Sequence, residues 1–332
     1  MKTIFTNDPP NFTKQEAAKQ IQRVFHKKGE LQELYSDRDQ NFLFTTKNQK
    51  YLLKIYNSLE KRKVIEFQIA SLKHIVKSDF PFKVPEPVNG LKKVFKDECK
   101  YYICLFKYLE GRFLFESKLK YVQYRDIGIL MGNLTKVLSH FNHSGGHRIF
   151  EWDIQNIDSI HNNIKFVEGK KRKNILYNHL NNVNNKRLPP IKNLRKSIIH
   201  NDGNDHNIIL NKDGSLKGII DFGDIIHSFT VLDAAVCMAY IGQKNKKPIE
   251  SMKVFLEGYQ AIFPLYEEEI FWLGQMICLR LCLSVTMSAW RKTIFPSNAY
   301  LTISEKSTWE LLDYLKKLDI DSWYKYWIQN AK

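Results

Sequence analysis

Residues 198–224, "IIHNDGNDHNIILNKDGSLKGIIDFGD", crowd His200, Asp202, Asp205, His206 and Asn207 into one polar turn and set Asp221 and Asp224 just past a short hairpin. Moving a phosphoryl group onto a hydroxyl needs few protein groups. A carboxylate orients the hydroxyl and accepts its proton, and oxygen ligands hold magnesium on the nucleotide phosphates. Asp202, an amide five residues later at Asn207, and Asp221 at the end of the strand "LKGIID" supply that set. Asp202 reads as the base, Asn207 as a metal ligand and Asp221 as the bridge from metal to phosphates. The turn "NKDGS" lets the flanking strands pair, which brings Asn207 and Asp221 to one mouth. A metal hydrolase built on His200, Asp202, Asp205 and His206 competes on residue type, but gives Asp221 no task.

The positioning elements lie on both sides of this stretch. Upstream, Lys54 in "YLLKIYN" sits in a strand flanked by apolar residues, where an inward ammonium is costly without an anion. Glu66 on the next helix can be that anion, and the pair would then hold the α/β-phosphates of a nucleotide. Residues 12–29 have apolar positions near helical spacing, ending at Gly29 as a C-cap. Strands are centred on Asn41–Thr45 and Tyr51–Tyr56, joined by "TKNQK". Residues 58–76 form an amphipathic helix with Val64, Phe67, Ala70, Leu72 and Ile75 on its apolar side. A Pro-rich connector leads into a second hairpin turning near Lys96–Glu98, so the first 110 residues read as a five-stranded pattern with one inserted helix. Beyond a boundary near Tyr108–Phe113 the pattern is mostly helical. Residues 120–141 make one long helix, the opening stretch is a β-loop-β insert, and residues 229–330 hold several helices broken at "IFPSNAY".

Composition narrows the classes further. The chain has 332 residues, 43% hydrophobic and 13% aromatic, enough for a large core. The N-terminus has no secretory pattern, and no stretch is expected to reach the roughly 18 apolar residues of a membrane span. The segment "MICLRLCLSVTMSAW", broken by Arg280, reads as a buried helix. Five scattered cysteines without CxxC pairs fit a reducing, cytoplasmic setting and give no zinc site. The formal charge of +16 attracts anions. The densest basic stretch, Lys165–Lys196, lacks regular aromatic interleaving for base stacking and reads as a solvated helical segment ending at Pro189-Pro190. Neither a nucleic-acid nor a membrane partner is expected.

With these parts assembled, "HNDGNDHNIIL" followed by "GIIDFGD" resembles the catalytic pattern of the aminoglycoside phosphotransferase/choline kinase family. The stretches "DRDQNFLF", "YLLKIYN" and "VLDAAVCMAYI" are most similar to its hydroxylysine kinase-like members. The resemblance runs from about Leu31 to Ile328. It implies an α+β, protein-kinase-like two-lobe fold: a small β-rich N-terminal lobe with one helix (1–107) that binds nucleotide, and a larger, mainly helical C-terminal lobe (108–332) for catalysis and substrate. It implies Asp202 as base, Asn207 and Asp221 as magnesium ligands, and Lys54 with Glu66 at the phosphates. The connector Leu105–Tyr108, including Phe106 and Tyr108, would face the purine, with Ile209 and Ile220 lining its pocket. The loop 36–42 takes the place of a glycine-rich phosphate cover, using donors from Asp39, Gln40, Asn41 and Phe42. Asp224 is a candidate for a substrate ammonium or a brace for its loop. His200 reads as structural, as do Asp205 and His206 as turn caps, Asp233 as a helix anchor, and Trp152 with Asp153.

The implied co-substrate is ATP or GTP with Mg²⁺. The implied acceptor is a small hydroxyl-bearing, amine-containing molecule, 5-hydroxylysine first, with homoserine, choline, ethanolamine and aminoglycosides as alternatives. Trp290, Arg280 and Tyr259 are candidates for the acceptor pocket, with Arg280 read rather as a salt-bridged structural residue. One departure from the family pattern is Asn201, where the family has Gly. Asn is the residue next most tolerant of positive φ. The substitution keeps open an inactive, nucleotide-binding homologue.

Overall fold

The computed structural model describes residues 2–117, 121–184, 194–243 and 245–328. Their contacts divide the chain into two compact units. Unit 1 comprises Met1–Asp79, Lys83–Glu110 and His143–Gly145; unit 2 comprises Phe80–Phe82, Gly111–Asn142 and Gly146–Lys332.

Unit 1 begins with α1 (Lys14–Phe25), started by a reciprocal capping box between Thr13 and Glu16. The helix stops at His26, which takes the left-handed conformation expected further on, at Gly29. Gly29 serves close approach instead, since a Cβ there would lie 2.2 Å from the Thr45 carbonyl oxygen. The strands are β1 (Glu30–Leu34), β2 (Gln40–Thr45) and β3 (Lys50–Ile55); after α2 (Arg62–Lys77) come β4 (Pro87–Lys96) and β5 (Cys99–Lys107). Together they form an antiparallel sheet in the order β1-β2-β3-β5-β4. Strand β1 was not placed by periodicity, because its residues are mostly exposed and polar. Along β2 burial alternates: Gln40, Phe42 and Phe44 point inward, and the two phenylalanines share a core cluster with Ala17, Ile21 and Phe25 of α1. Asn41 therefore shares the opposite face with Lys54, its partner across the β2–β3 ladder.

Unit 2 opens with β6 (Arg112–Phe113) and α3 (Tyr121–Leu138), followed by α4 (Asp158–Asn163) and α5 (Lys170–Asn184). The expected end of the basic helix at Pro189-Pro190 lies outside the described residues. Strands β7 (Lys196–Ile199), β8 (Ile208–Leu210), β9 (Leu216–Ile219) and β10 (Ile226–Phe229) form two small sheets, β10-β7 and β6-β8-β9. Helices α6 (Val231–Gly242), α7 (Pro248–Gln260), α8 (Glu267–Ile294), α9 (Glu305–Leu315) and α10 (Ile320–Ile328) complete it. Contrary to expectation, α8 is long and apolar enough to cross a bilayer by length and composition, but 94% of its most apolar window is buried inside the protein, as in a core helix.

Helices α3 and α7 approach through reciprocal glycines. A Cβ on Gly128 would lie 2.0 Å from the Phe255 carbonyl oxygen, and one on Gly258 would lie 2.0 Å from that of Arg125. Rigid backbone atoms leave no room for either. Gly128→Val is therefore expected to lower the unfolding free energy by about 2 kcal/mol or more in a denaturant titration, at the upper part of the range for overpacking; an unchanged midpoint would refute the close approach.

Candidate active site

Strand β7 delivers the polar turn. The His200 side chain is fully buried and lies edge-on to the Phe222 ring, with centroids 4.7 Å apart. Its Nδ1 accepts the Asp202 N–H at 3.2 Å and its Nε2 donates to the Ile220 carbonyl at 3.1 Å, which defines a neutral Nε2–H tautomer. Burial pushes its pKa below the usual histidine value. Asn201, also fully buried, adopts φ +65° and donates its N–H to Asp233 Oδ1 at 3.0 Å. Asp233 Oδ2 accepts from Thr135 Oγ1 at 3.2 Å, and that hydroxyl accepts from Tyr259 at 3.0 Å. Burial raises the Asp233 pKa. The Asn201 amide donates to the carbonyls of Trp152 (3.4 Å) and Asp224 (3.5 Å). Asn201 thus takes up the left-handed conformation that the family's Gly suggested, and its side chain links two neighbouring segments.

The turn projects Asp202. Its Oδ1 accepts from Asn204 Nδ2 at 2.9 Å and from the Arg280 guanidinium at 3.3 Å; its Oδ2 accepts from Asn207 Nδ2 at 2.7 Å. The side chain retains 21% of its exposure. Burial, followed by the charge of Asp224, raises the Asp202 pKa above the usual carboxylate range; Arg280 opposes the rise and Asp221 adds to it. The hairpin sets the next ligand. Ile208 pairs with Ile219, and the Ile220 N–H donates to the Asn207 carbonyl at 2.8 Å, so Asp221 directly follows the residue facing Asn207. Asp221 is itself left-handed, at φ +59°, and its Oδ1 caps the Gly223 N–H at 3.1 Å.

The donor set fits a hard divalent cation. With Asn207 Nδ2 committed to Asp202, its side-chain oxygen is the atom left to offer beside the Asp221 carboxylate. Among the described residues no three His, Cys, Asp or Glu side chains converge as a metal cage. Magnesium is commonly held by one or two protein oxygen ligands, with phosphates and water completing its shell. The hydrolase cluster does not form: both His200 nitrogens are bound to backbone, and the His206 ring stacks on Phe115 at 4.2 Å.

In unit 1, Lys54 Nζ lies 3.0 Å from Asp39 Oδ2, and both side chains are nearly buried. Asp39 Oδ1 also accepts the Asn57 N–H at 2.9 Å. Glu66 receives the Arg62 guanidinium at 2.8 Å, one turn earlier on α2. Two of the loop donors assigned from the sequence are taken up by packing. The Gln40 amide staples the Phe12 backbone in both directions, at 2.8 and 2.9 Å, and Phe42 is wholly in the core. In the connector, the N–H groups of Lys107 and Tyr108 donate to the Glu86 and Lys50 carbonyls, and the Phe106 side chain is buried. The purine-facing donors expected there are thus partly committed within unit 1. In unit 2, Ile209 is buried and Ile220 half-buried.

Several residues escaped the sequence reading. Asn204, rather than Asp205 or His206, caps the turn: its Oδ1 accepts the His206 N–H at 2.8 Å. Asp205 ties the turn to the segment after β6 through its carbonyl, which accepts from Phe115 N–H. Tyr259, expected in an acceptor pocket, is fully buried in the Thr135–Asp233 chain. Asp153, which already read as structural with Trp152, is a buried brace that accepts from Ser228 and Gln155. Asp39 as a carboxylate for Lys54 had a signal, since it lies just before the strand paired with that of Lys54.

Residues 30–268 match the model of the Phosphotransferase enzyme family. Hydroxylysine kinase of Mus musculus is 27% identical to the chain over 354 residues, covering 97% of this chain and 94% of its own length. Two solved structures share the protein-kinase-like fold, each with a TM-score of 0.71. Amicoumacin kinase in complex with AMP-PNP, Ca²⁺ and Ami is 13% identical, covering 94% of this chain and 97% of its own. A microcompartment-associated aminopropanol kinase is 15% identical, covering 95% and 99%.

The left-handed turn yields a stability prediction. Asn201→Val places a β-branched residue at φ +65° and is expected to cost about 2 kcal/mol, whereas Asn201→Gly stays within about 1 kcal/mol of wild type. Chemical denaturation of the three proteins checks this, and equal stability of Val and Gly would contradict it.

Proposed function

The chain belongs to the Phosphotransferase enzyme family, and from that membership we propose that it is a small-molecule kinase moving the γ-phosphate of ATP or GTP to a hydroxyl of an amino acid or amino alcohol, with 5-hydroxylysine the foremost acceptor. The observation that carries this reading is the Asp202 carboxylate, held by Asn207 and Asn204, with Asp221 one residue beyond the strand partner of Asn207. The match to a hydroxylysine kinase along almost the whole of both chains supports the acceptor class, as does the fold shared with an aminopropanol kinase. The amicoumacin kinase complex contains a nucleotide analogue and a divalent cation, which supports the same co-substrates here.

In this reading Asp202 receives the acceptor hydroxyl, aligns it and takes its proton. Its raised pKa matches that work, because a base is most useful when its affinity for the proton is not too low. Asn207 and Asp221 would hold Mg²⁺, which when bound screens the phosphate oxygens as charge shifts toward the leaving diphosphate. Lys54 brings positive charge to the phosphates, with Asp39 as the carboxylate that orients it. Asp224, whose charge raises the Asp202 pKa, would attract an acceptor ammonium or brace its loop. Ile209 and Ile220 offer apolar surface to the base.

The test is a panel of hydroxylysine, homoserine, choline, ethanolamine, aminopropanol and an aminoglycoside, each with ATP and with GTP, scored for nucleoside diphosphate release. Acceptor-dependent release is expected with an amino acid or amino alcohol. Asp202→Asn should lower kcat by roughly 10²–10⁴-fold while nucleotide binding is kept. Release without any acceptor dependence, or full turnover by Asp202→Asn, would overturn the proposal.

A further inference from the structure

The transfer described above leaves a buried charge beside Asp202 without a task. Arg280 lies within α8 with 2% of its side chain exposed. A guanidinium removed from water is costly unless it is paired and hydrogen-bonded. One terminal nitrogen donates to Asp202 Oδ1 at 3.3 Å and the other to the Trp152 carbonyl at 3.3 Å. The guanidinium carbon sits 4.9 Å from the Trp152 ring centroid and 5.9 Å from that of Tyr240. Among the described residues its Nε has no hydrogen-bond partner. The same Trp152 carbonyl accepts from the Asn201 amide, so the residue before Asp202 and the guanidinium that grips Asp202 share one anchor.

The two carboxylate oxygens are consequently unlike. Each has two lone-pair sites. Oδ1 accepts from Asn204 and Arg280, while among the described residues Oδ2 accepts from Asn207 alone. We infer that Arg280 is a positioning residue for the transfer: it saturates Oδ1 and locks the carboxylate against the Trp152 carbonyl, so that Oδ2 is the oxygen that receives the acceptor hydroxyl. The inference rests on the kinase reading. In the step it serves, the acceptor O–H points at Oδ2 and its oxygen bonds to the γ-phosphorus. The bond from that phosphorus to the β,γ-bridging oxygen breaks, and the nucleoside diphosphate leaves with the electron pair. The proton passes to Oδ2 and later to solvent. Arg280 touches neither substrate and acts through Asp202.

The experiment compares wild type, Arg280→Met, Arg280→Lys, Asp202→Asn and the double variant Asp202→Asn/Arg280→Met in the acceptor-dependent assay, alongside thermal melts. Arg280→Met is expected to lower kcat about 10²-fold, the scale for a displaced reacting group, with KM for nucleotide little changed. Arg280→Lys keeps the charge but cannot span both Oδ1 and the carbonyl, and should fall in between, about tenfold below wild type. In the Asp202→Asn background the loss of Arg280 should cost nothing further in kcat, because residues acting as one unit are not additive. A residue that only packs would lower the melting temperature while leaving kcat of the folded protein intact, and that result overturns the inference. If Arg280→Met does not fold, Arg280→Lys decides: wild-type kcat overturns the inference and an intermediate kcat supports it. If wild type itself is silent with every acceptor, the kinase reading fails and the inference with it; an active wild type with unaffected Arg280 variants defeats the inference alone.

Discussion

The buried hydrogen bond from the Asn201 N–H to Asp233 governs the geometry of the turn that carries Asp202. Asp233 stands in the first turn of α6, where the helix dipole favours a negative charge. Its second oxygen is tied through Thr135 on α3 to Tyr259 on α7, so three helices converge on one carboxylate. A backbone N–H left unpaired at this depth would cost about 1–3 kcal/mol. That bond holds Asn201 left-handed, and the reversal of chain direction there lets the next N–H reach His200 Nδ1. Histidine, asparagine and aspartate thus form a fixed base from which the Asp202 side chain extends.

The second constraint is electrostatic. Burial first, then the charge of Asp224 and, less, that of Asp221, raise the Asp202 pKa, and Arg280 opposes the rise. Carboxylates gathered at one turn favour a cation among them. In the proposed reaction that cation is magnesium, for which oxygen ligands such as those of Asn207 and Asp221 are suited.

The sequence announced the polar cluster better than its supports. Asp202, Asn207 and Asp221 were legible because their types and spacing match a reaction, and the turn between two apolar runs announced the hairpin that unites the latter two. The five-stranded sheet was countable, yet β1 escaped because an exposed edge strand such as "ELQEL" has no alternation of apolar residues. The end of α1 was placed at Gly29 by the usual glycine signal, whereas His26 adopts the left-handed conformation and Gly29 answers a steric demand from Thr45. Gln40 looked like a ligand donor only because nothing in the sequence tells that Phe12 would need its amide. Arg280 sat in an apolar helix and read as a structural ion pair; that its partner is Asp202 depends on how α8 packs against the turn, which spacing along the chain does not encode.

The central claim is that this braced carboxylate directs phosphate onto a hydroxyl of a small amine-bearing molecule. Phosphorus NMR of the purified protein with hydroxylysine, Mg²⁺ and ATP or GTP tests it most directly. The account predicts a new phosphate monoester resonance that grows in step with nucleoside diphosphate and couples to the proton on the acceptor's hydroxyl-bearing carbon. Diphosphate accompanied only by inorganic phosphate, or a phosphorus signal on the acceptor nitrogen, would contradict it.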